Sequence, residues 1–351
     1  MLGRTRMGRV GLKGRTGSST AVALLAVAVV AALVAAVLEA PALARGSDLL
    51  GRPAARTVTH VDQRSVPPRE TVRILQVVFR AKAGERRLIT AKVYARQPRT
   101  TGDPVLMAAV SMGCSPRARG VRSAGSTQNL VRGHRSLLTP RFVYRVPRTG
   151  RVACTVYATG ERPRPHRGGA RRNAWRVSDG SYIAVSQPLR RWSRSIGTAA
   201  RSRVVRPHRQ WSPISTRVWI GAGRSFQLLA DHKVTTCSSP GGSKDSTTQG
   251  RNLCRFHVRS GGTRVRSRIT VVQLDRRGHA CAPRQVFLGS RMVTPSVHHA
   301  MLFQRERVRV ARRKGCTQRF WIRSTLLNSR GATMMVHAPS ERLAVLPRVV
   351  R

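Results

Sequence analysis

Residues 264–272 read Arg264-Val265-Arg266-Ser267-Arg268-Ile269-Thr270-Val271-Val272. Successive side chains of a β-strand point to opposite faces, so the run puts three guanidinium groups on one side and Val265, Ser267 and Ile269 on the other. A helix would spread the same residues around its axis. The two-residue period recurs along the chain. Arg141 and Arg145 share a face with Val143 while Phe142, Tyr144 and Val146 take the opposite one. Arg305, Arg307 and Arg309 alternate with Glu306, Val308 and Val310, and Arg319 and Arg323 flank Trp321 against Phe320 and Ile322. The pattern predicts half-buried strands carrying arginine on their solvent face, ~7 Å apart along each strand.

Short segments of the same kind fill most of the chain beyond the N-terminal region. Val72 to Arg80, Leu88 to Ala95, Val152 to Ala158, Tyr182 to Ser186, Arg217 to Ile220 and Arg268 to Leu274 are rich in Val, Ile, Thr, Phe and Tyr, and turn residues bound them. No stretch sustains a helical period over a dozen residues. The fold class expected is all-β: two antiparallel β-sandwich domains of immunoglobulin-like architecture, over 57–188 and 211–347, after an N-terminal signal or anchor helix. Between them, 189–210 carries Arg, Ser and Pro without apolar periodicity and reads as a flexible basic linker. A second basic stretch, Gly160 to Arg172, reads as an exposed loop.

A weak internal repeat supports the division. Ala83-Gly84, Ala91-Lys92-Val93, Cys114, Leu138-Thr139-Pro140, Cys154-Thr155 and Gly180-x4-Val185-x2-Pro188 are followed in the same order by Ala222-Gly223, Lys233-Val234, Cys281, Val293-Thr294-Pro295, Cys316-Thr317 and Gly331-x4-Val336-x2-Pro339. The six cysteines then pair as Cys114–Cys154, Cys281–Cys316 and, closing a Gly/Ser-rich loop, Cys237–Cys254. Each bridge is worth roughly 2–4 kcal/mol through restriction of the unfolded chain. No Cys-x-x-Cys occurs, which speaks against zinc.

Arg4, Arg6, Arg9, Lys13 and Arg15 precede the apolar run Ala21 to Leu38, and Ala42-Leu43-Ala44 supplies a small-x-small cleavage pattern. Residues 1–44 therefore read as a signal peptide, with an uncleaved anchor as the alternative, and the expected location is secreted or extracellular. Removing them takes away little of the charge. The chain has 66 Lys and Arg against 13 Asp and Glu, a formal net charge of +53. Self-repulsion of that size opposes compaction and draws in polyanions. Nearly all of it is Arg, which pairs bidentately with phosphate and carboxylate.

The expected function is non-catalytic attachment to anionic polymers at the cell surface: wall polymer, extracellular nucleic acid or acidic polysaccharide. Arg141, Arg145, Arg264, Arg266, Arg268, Arg305, Arg307, Arg309, Arg319 and Arg323 are the candidate contacts, with membrane contact only through an uncleaved N-terminus. The rival readings are a secreted hydrolase with a site between the domains and a purely structural or protein-binding module. No Gly-x-Ser-x-Gly elbow, His-Glu-x-x-His helix or phosphate-binding loop occurs, so no catalytic residue and no cofactor are assigned. A Ser/His/acid triad assembled from distant segments stays open. His298 and His299 are adjacent; on a strand their rings point apart and share no metal, and none is assigned. Trp175, Trp192 and Trp211 stand in or beside basic stretches, where a stacking platform or, more simply, a structural role places them.

Overall fold

The computed structural model describes residues 56–60, 64–99, 105–118, 121–160, 174–198, 201–236, 262–294 and 297–347. The N-terminal segment 1–44, residues 161–173 and the Cys237–Cys254 pair lie outside them. No helix among the described residues is long and apolar enough to cross a membrane.

The first half contributes β1 (Arg56–His60), β2 (Ser65–Val66), β3 (Thr71–Ala81), β4 (Arg86–Arg96), β5 (Val105–Ser115), β6 (Ser123–Val131), β7 (Arg135–Leu138), β8 (Arg141–Arg145), β9 (Gly150–Thr159), β10 (Trp175–Val177) and β11 (Ser181–Val185). The second contributes β12 (Arg194–Gly197), β13 (Arg203–Val205), β14 (Gln210–Trp219), β15 (Ser225–Thr236), β16 (Thr263–Asp275), β17 (Gln285–Val293), β18 (His299–Arg309), β19 (Cys316–Arg330), β20 (Met334–Val336) and β21 (Arg342–Pro347). The fold is all-β, and every pairing of these strands is antiparallel.

Each half is a sandwich of a large and a small sheet. The large sheet of the first runs β1-β11-β4-β10-β2 with β7 and β8 on the other side of β4; the small one runs β3-β9-β5-β6. The second half has β12-β21-β15-β20-β13 with β18 beside β15, and β14-β19-β16-β17. The two orders match strand for strand. β1 with β2, β10 with β11 and β7 with β8 are pieces of single strand positions: β7 and β8 pair with β4 in one register, Val93 opposite Leu138 and Ile89 opposite Phe142. Four positions per sheet in this order make a jelly roll, so the sandwich architecture stands while its connectivity is not the immunoglobulin one.

Disulfides Cys114–Cys154 and Cys281–Cys316 hold equivalent places, joining β5 to β9 and the β16–β17 loop to β19. Ala83-Gly84 and Ala222-Gly223 also match, each preceding an equivalent strand, β4 and β15, while later landmarks agree less well. Gly180 precedes β11 but Gly331 precedes β20, and Leu138-Thr139-Pro140 breaks the β7/β8 strand whereas Val293 and Thr294 end β17. The two glycines each mark a turn entering a strand, at places that are not equivalent in the two strand orders.

The expected flexible linker is structured. Within 189–210, β12 pairs with β21 and β13 with β20, so the second sandwich begins inside it. Leu189 donates its N–H to the Arg86 carbonyl at 2.7 Å, and the Arg86 guanidinium donates to the Ser193 carbonyl at 2.5 Å. Four residues with no clear alternation and no apolar side chain besides Ile196 leave no periodic signal in β12.

Residues 52–351 form one compact unit. Ile89, Ala91 and Val93 of β4 point into the first core. Leu228 and Ala230 of β15 do the same in the second. Their neighbours Leu229 and Asp231 point outward yet are buried, as are Ala344 and Leu346 of β21, because the β6/β8 edge of the first sandwich abuts this face. Arg141 of β8, 4% exposed, donates from Nε to both carboxylate oxygens of Asp231 at 2.8 and 3.1 Å and from Nη2 at 2.5 Å. Beside it the edge N–H of Val143 donates to Ser195 Oγ at 2.7 Å, and the N–H of His299 to Asn129 Oδ1 at 2.5 Å.

Removing one partner of a buried pair strands the other charge away from water. Asp231→Ala is therefore expected to lower stability by about 3–5 kcal/mol, and the double replacement Arg141→Leu with Asp231→Leu to cost clearly less. Urea midpoints of the three proteins check both statements.

Candidate functional site

Nine of the ten candidate arginines are exposed as the alternation requires; Arg141 is the exception, buried against Asp231. Alternation says which side of a strand a residue takes, not whether another part of the chain covers that side. The nine do not form one surface. Arg145 lies at the end of β8, Arg305, Arg307 and Arg309 line the outer side of β18, and Arg264, Arg266, Arg268, Arg319 and Arg323 share the outer face of the second small sheet.

That face is built by three strands whose inward residues fill the core: Ile214 and Val218 of β14, Phe320 and Ile322 of β19, Ile269 and Val271 of β16. Their outward neighbours then fall into rows. Trp219 lies opposite Arg319, and Arg217 opposite Trp321; Ser215 lies opposite Arg323. Directly opposite side chains stand ~5 Å apart and diagonal ones ~7–8 Å, so Trp219 and Trp321 are diagonal neighbours in a checkerboard with three arginines. Trp219 is 57% exposed. The Arg323 guanidinium lies 4.4 Å from the centre of the Trp321 ring, whose N–H donates to Ser215 Oγ at 3.1 Å. No carboxylate points outward from β14, β16, β17 or β19 among the described residues. Asp275, at the end of β16, is committed to a turn: its Oδ1 accepts the His279 N–H at 2.8 Å, and that bond foremost holds its pKa below the usual value.

The matching face of the first half is plain. On β3 and β9 the outward residues include Gln76, Val78, Ala153, Thr155 and Tyr157, with arginine confined to Arg73, Arg80 and Arg151. A jelly roll does not require the arginine and tryptophan of the second.

The tryptophans singled out beside basic stretches are structural. Trp175 is fully buried and donates to the Thr159 carbonyl at 3.3 Å. Trp211 packs on the core cluster around Leu326, and Trp192 lies over Gly221, where a Cβ would come within 2.7 Å of the indole. An exposed indole, Trp219, stands instead on β14, and the half-buried Trp321 lies beside it on β19. Their signal was in the sequence: Trp219 and Trp321 each keep the parity of neighbouring arginines.

Two buried polar clusters were not foreseen. His232, Ser324 and Glu341 are each fully buried inside the second sandwich. His232 Nδ1 bonds Glu341 Oε2 and its Nε2 lies 3.0 Å from Ser324 Oγ. Nucleophile, base and orienting carboxylate have the order of a catalytic triad, but the serine is sealed from water. Burial raises the Glu341 pKa, opposed chiefly by His232. The network divides the core into the clusters around Phe320 and Leu326, whereas the first half has a single one. By strand register Val93 holds the place of His232.

The second cluster lines the outer side of β15. Thr235 Oγ1 lies 2.7 Å from His299 Nδ1 and 2.6 Å from His337 Nε2. His298 precedes β18 rather than lying in it, so its ring sits 4.4 Å from that of His299 instead of pointing away. Burial, with Lys233 adding to it, lowers the His337 pKa to about 4, and burial lowers that of Lys233. No group of three or more His, Cys, Asp or Glu among the described residues is arranged to hold a metal ion.

No protein-family model matches the chain, and no curated protein matches it. Solved structures resemble it weakly. Flavobacterium meningosepticum PNGase F, a glycosylasparaginase, is 9% identical with a TM-score of 0.34, over 83% of this chain and 95% of its own. The CBM22-1-CBM22-2 tandem domain of Paenibacillus barcinonensis Xyn10C is 9% identical with a TM-score of 0.25, over 84% and 99%. An infectious bursal disease virus subviral particle protein is 10% identical with a TM-score of 0.25, over 84% and 79%. Likeness at that level says nothing about this chain's activity.

His232→Val alone leaves the buried Glu341 with only the Lys233 N–H, at 3.0 Å, and is expected to lower stability by about 3–5 kcal/mol. Adding Glu341→Leu and Ser324→Ala, which rebuilds the first half's apolar interior, should recover most of that loss in denaturant titrations. His337 binds its proton only near pH 4 when folded but near 6.5 when unfolded, so stability falls as pH drops through that window. His337→Asn is expected to flatten the dependence of the urea midpoint on pH between about 6.5 and 4.

Proposed function

We infer that the protein is a secreted, non-catalytic attachment protein whose exposed arginines hold anionic polymer at or outside the cell surface. One observation supports this above the rest: the outer face of β14, β16 and β19 gathers Arg217, Arg266, Arg268, Arg319 and Arg323 without a carboxylate among them. Like charges side by side on a sheet cost a few tenths of a kcal/mol for each pair. A polyanion lying over them reverses that sign and releases its counterions. Arginine used only for solubility would not need to collect more densely here than on the matching face of the first sandwich, which carries Arg73, Arg80 and Arg151 on β3 and β9. Secretion agrees with the disulfides and with the basic-then-apolar N-terminus.

Inorganic polyphosphate provides the test, because it offers charge and nothing else. Log affinity should fall linearly with log salt. Arg217→Gln, Arg319→Gln and Arg323→Gln together should reduce that slope by about 2, while Arg305→Gln, Arg307→Gln and Arg309→Gln, off this face, should change it less. A slope unaltered by the first triple variant would falsify the assignment of this face.

A further inference from the structure

Resting on the attachment reading, we propose that the polymer held on this face is single-stranded nucleic acid, with bases stacked on Trp219 and Trp321 and phosphates on the arginines between them. Charge alone does not call for exposed indoles. Trp219 keeps more than half its surface in water, whereas the exposed aromatic on the first half's small sheet is the smaller Tyr157, 40% exposed and without a second aromatic beside it on β3 or β9. Leaving a large aromatic exposed forfeits the gain from burying it, and a ligand with flat apolar faces restores that gain.

The arrangement separates candidate polymers. An extended single strand presents a phosphate and a base in alternation, and the rows here present an indole and a guanidinium in alternation, both across the strands and along them. Aromatic platforms in a basic surface bind single strands in this manner, each stacked base contributing independently of sequence. A duplex hides its base faces and offers only phosphate and groove edges to a flat sheet. An acidic polysaccharide offers carboxylate or sulfate together with rings of hydroxyl groups. The outward positions of this sheet carry no Asp, Glu or Asn to engage those hydroxyls, and the nearby Gln210 carbonyl already accepts from Arg268 at 3.1 Å. Trp321 is held in place by its bond to Ser215 and by Arg323, and Trp219 lies free beside it. One indole is thus fixed as a platform and its diagonal neighbour is open to stack.

The experiment compares an oligo-dT with an abasic oligomer of the same phosphate count, a duplex of the same length and heparin, at one salt concentration. Tryptophan fluorescence and anisotropy are read together. The expected result is oligo-dT binding at least about five-fold tighter than the abasic oligomer, with tryptophan quenching. Trp219→Ala, at an exposed site whose folding is checked by its melting curve, should remove that difference and keep abasic binding. Equal binding of oligo-dT and abasic oligomer overturns the stacking proposal and leaves charge attachment standing, as does preference for duplex or heparin. Failure to bind any of the four overturns both.

Discussion

A charge pair sealed from water makes one body of two sandwiches. Arg141 and Asp231 come from different halves, and each is costly to bury alone. Their mutual hydrogen bonds offset that cost only when β8 and β15 lie in one relative position. In a chain with thirteen acids for sixty-six basic residues, committing a carboxylate to a seam is a strong use of a scarce group. Two further polar bonds cross the seam, Ser195 under Val143 and Asn129 under His299, beside the apolar Leu229, Ala344 and Leu346. Directional bonds of this kind set register between surfaces that apolar contact alone would let slide.

The second sandwich bears the larger share of unusual chemistry. It holds the His232 network in its core, the His299–Thr235–His337 cluster on its large sheet, and the arginine and tryptophan rows on its small sheet. The first has an undivided apolar core and a plain outer face on its small sheet. Since the strand order is the same in both, these differences arise from side chains and not from topology.

Much of this was legible in residue order because a strand's period is short. Val265, Ser267 and Ile269 are buried while Arg264, Arg266 and Arg268 are exposed, as a period of two demands, and the cysteine pairing followed from matched positions in the two halves. Arg141 has the same periodic signature as Arg145, and nothing nearby in the chain announces that Asp231, ninety residues on, will cover it. Ser324, His232 and Glu341 are likewise drawn together from three strands' distance. The strands β12 and β13 were hidden for another reason: at four and three residues they are too short to show a period. The two copies of Gly-x4-Val-x2-Pro fall on non-equivalent turns, before β11 and before β20, because turn geometry favours glycine wherever a tight turn precedes a strand.

Ser195 beneath the edge of β8 has an implication for assembly. An open sheet margin invites another chain to extend it, and proteins ordinarily discourage this with charge, proline or a cover. Here a hydroxyl from the neighbouring sandwich occupies the Val143 donor, so the first large sheet is closed to annexation at that point by the molecule's own other half. Under the proposed attachment to an anionic polymer, guarding a margin intramolecularly would matter, since neutralising the repulsion between copies removes the force that otherwise keeps them apart.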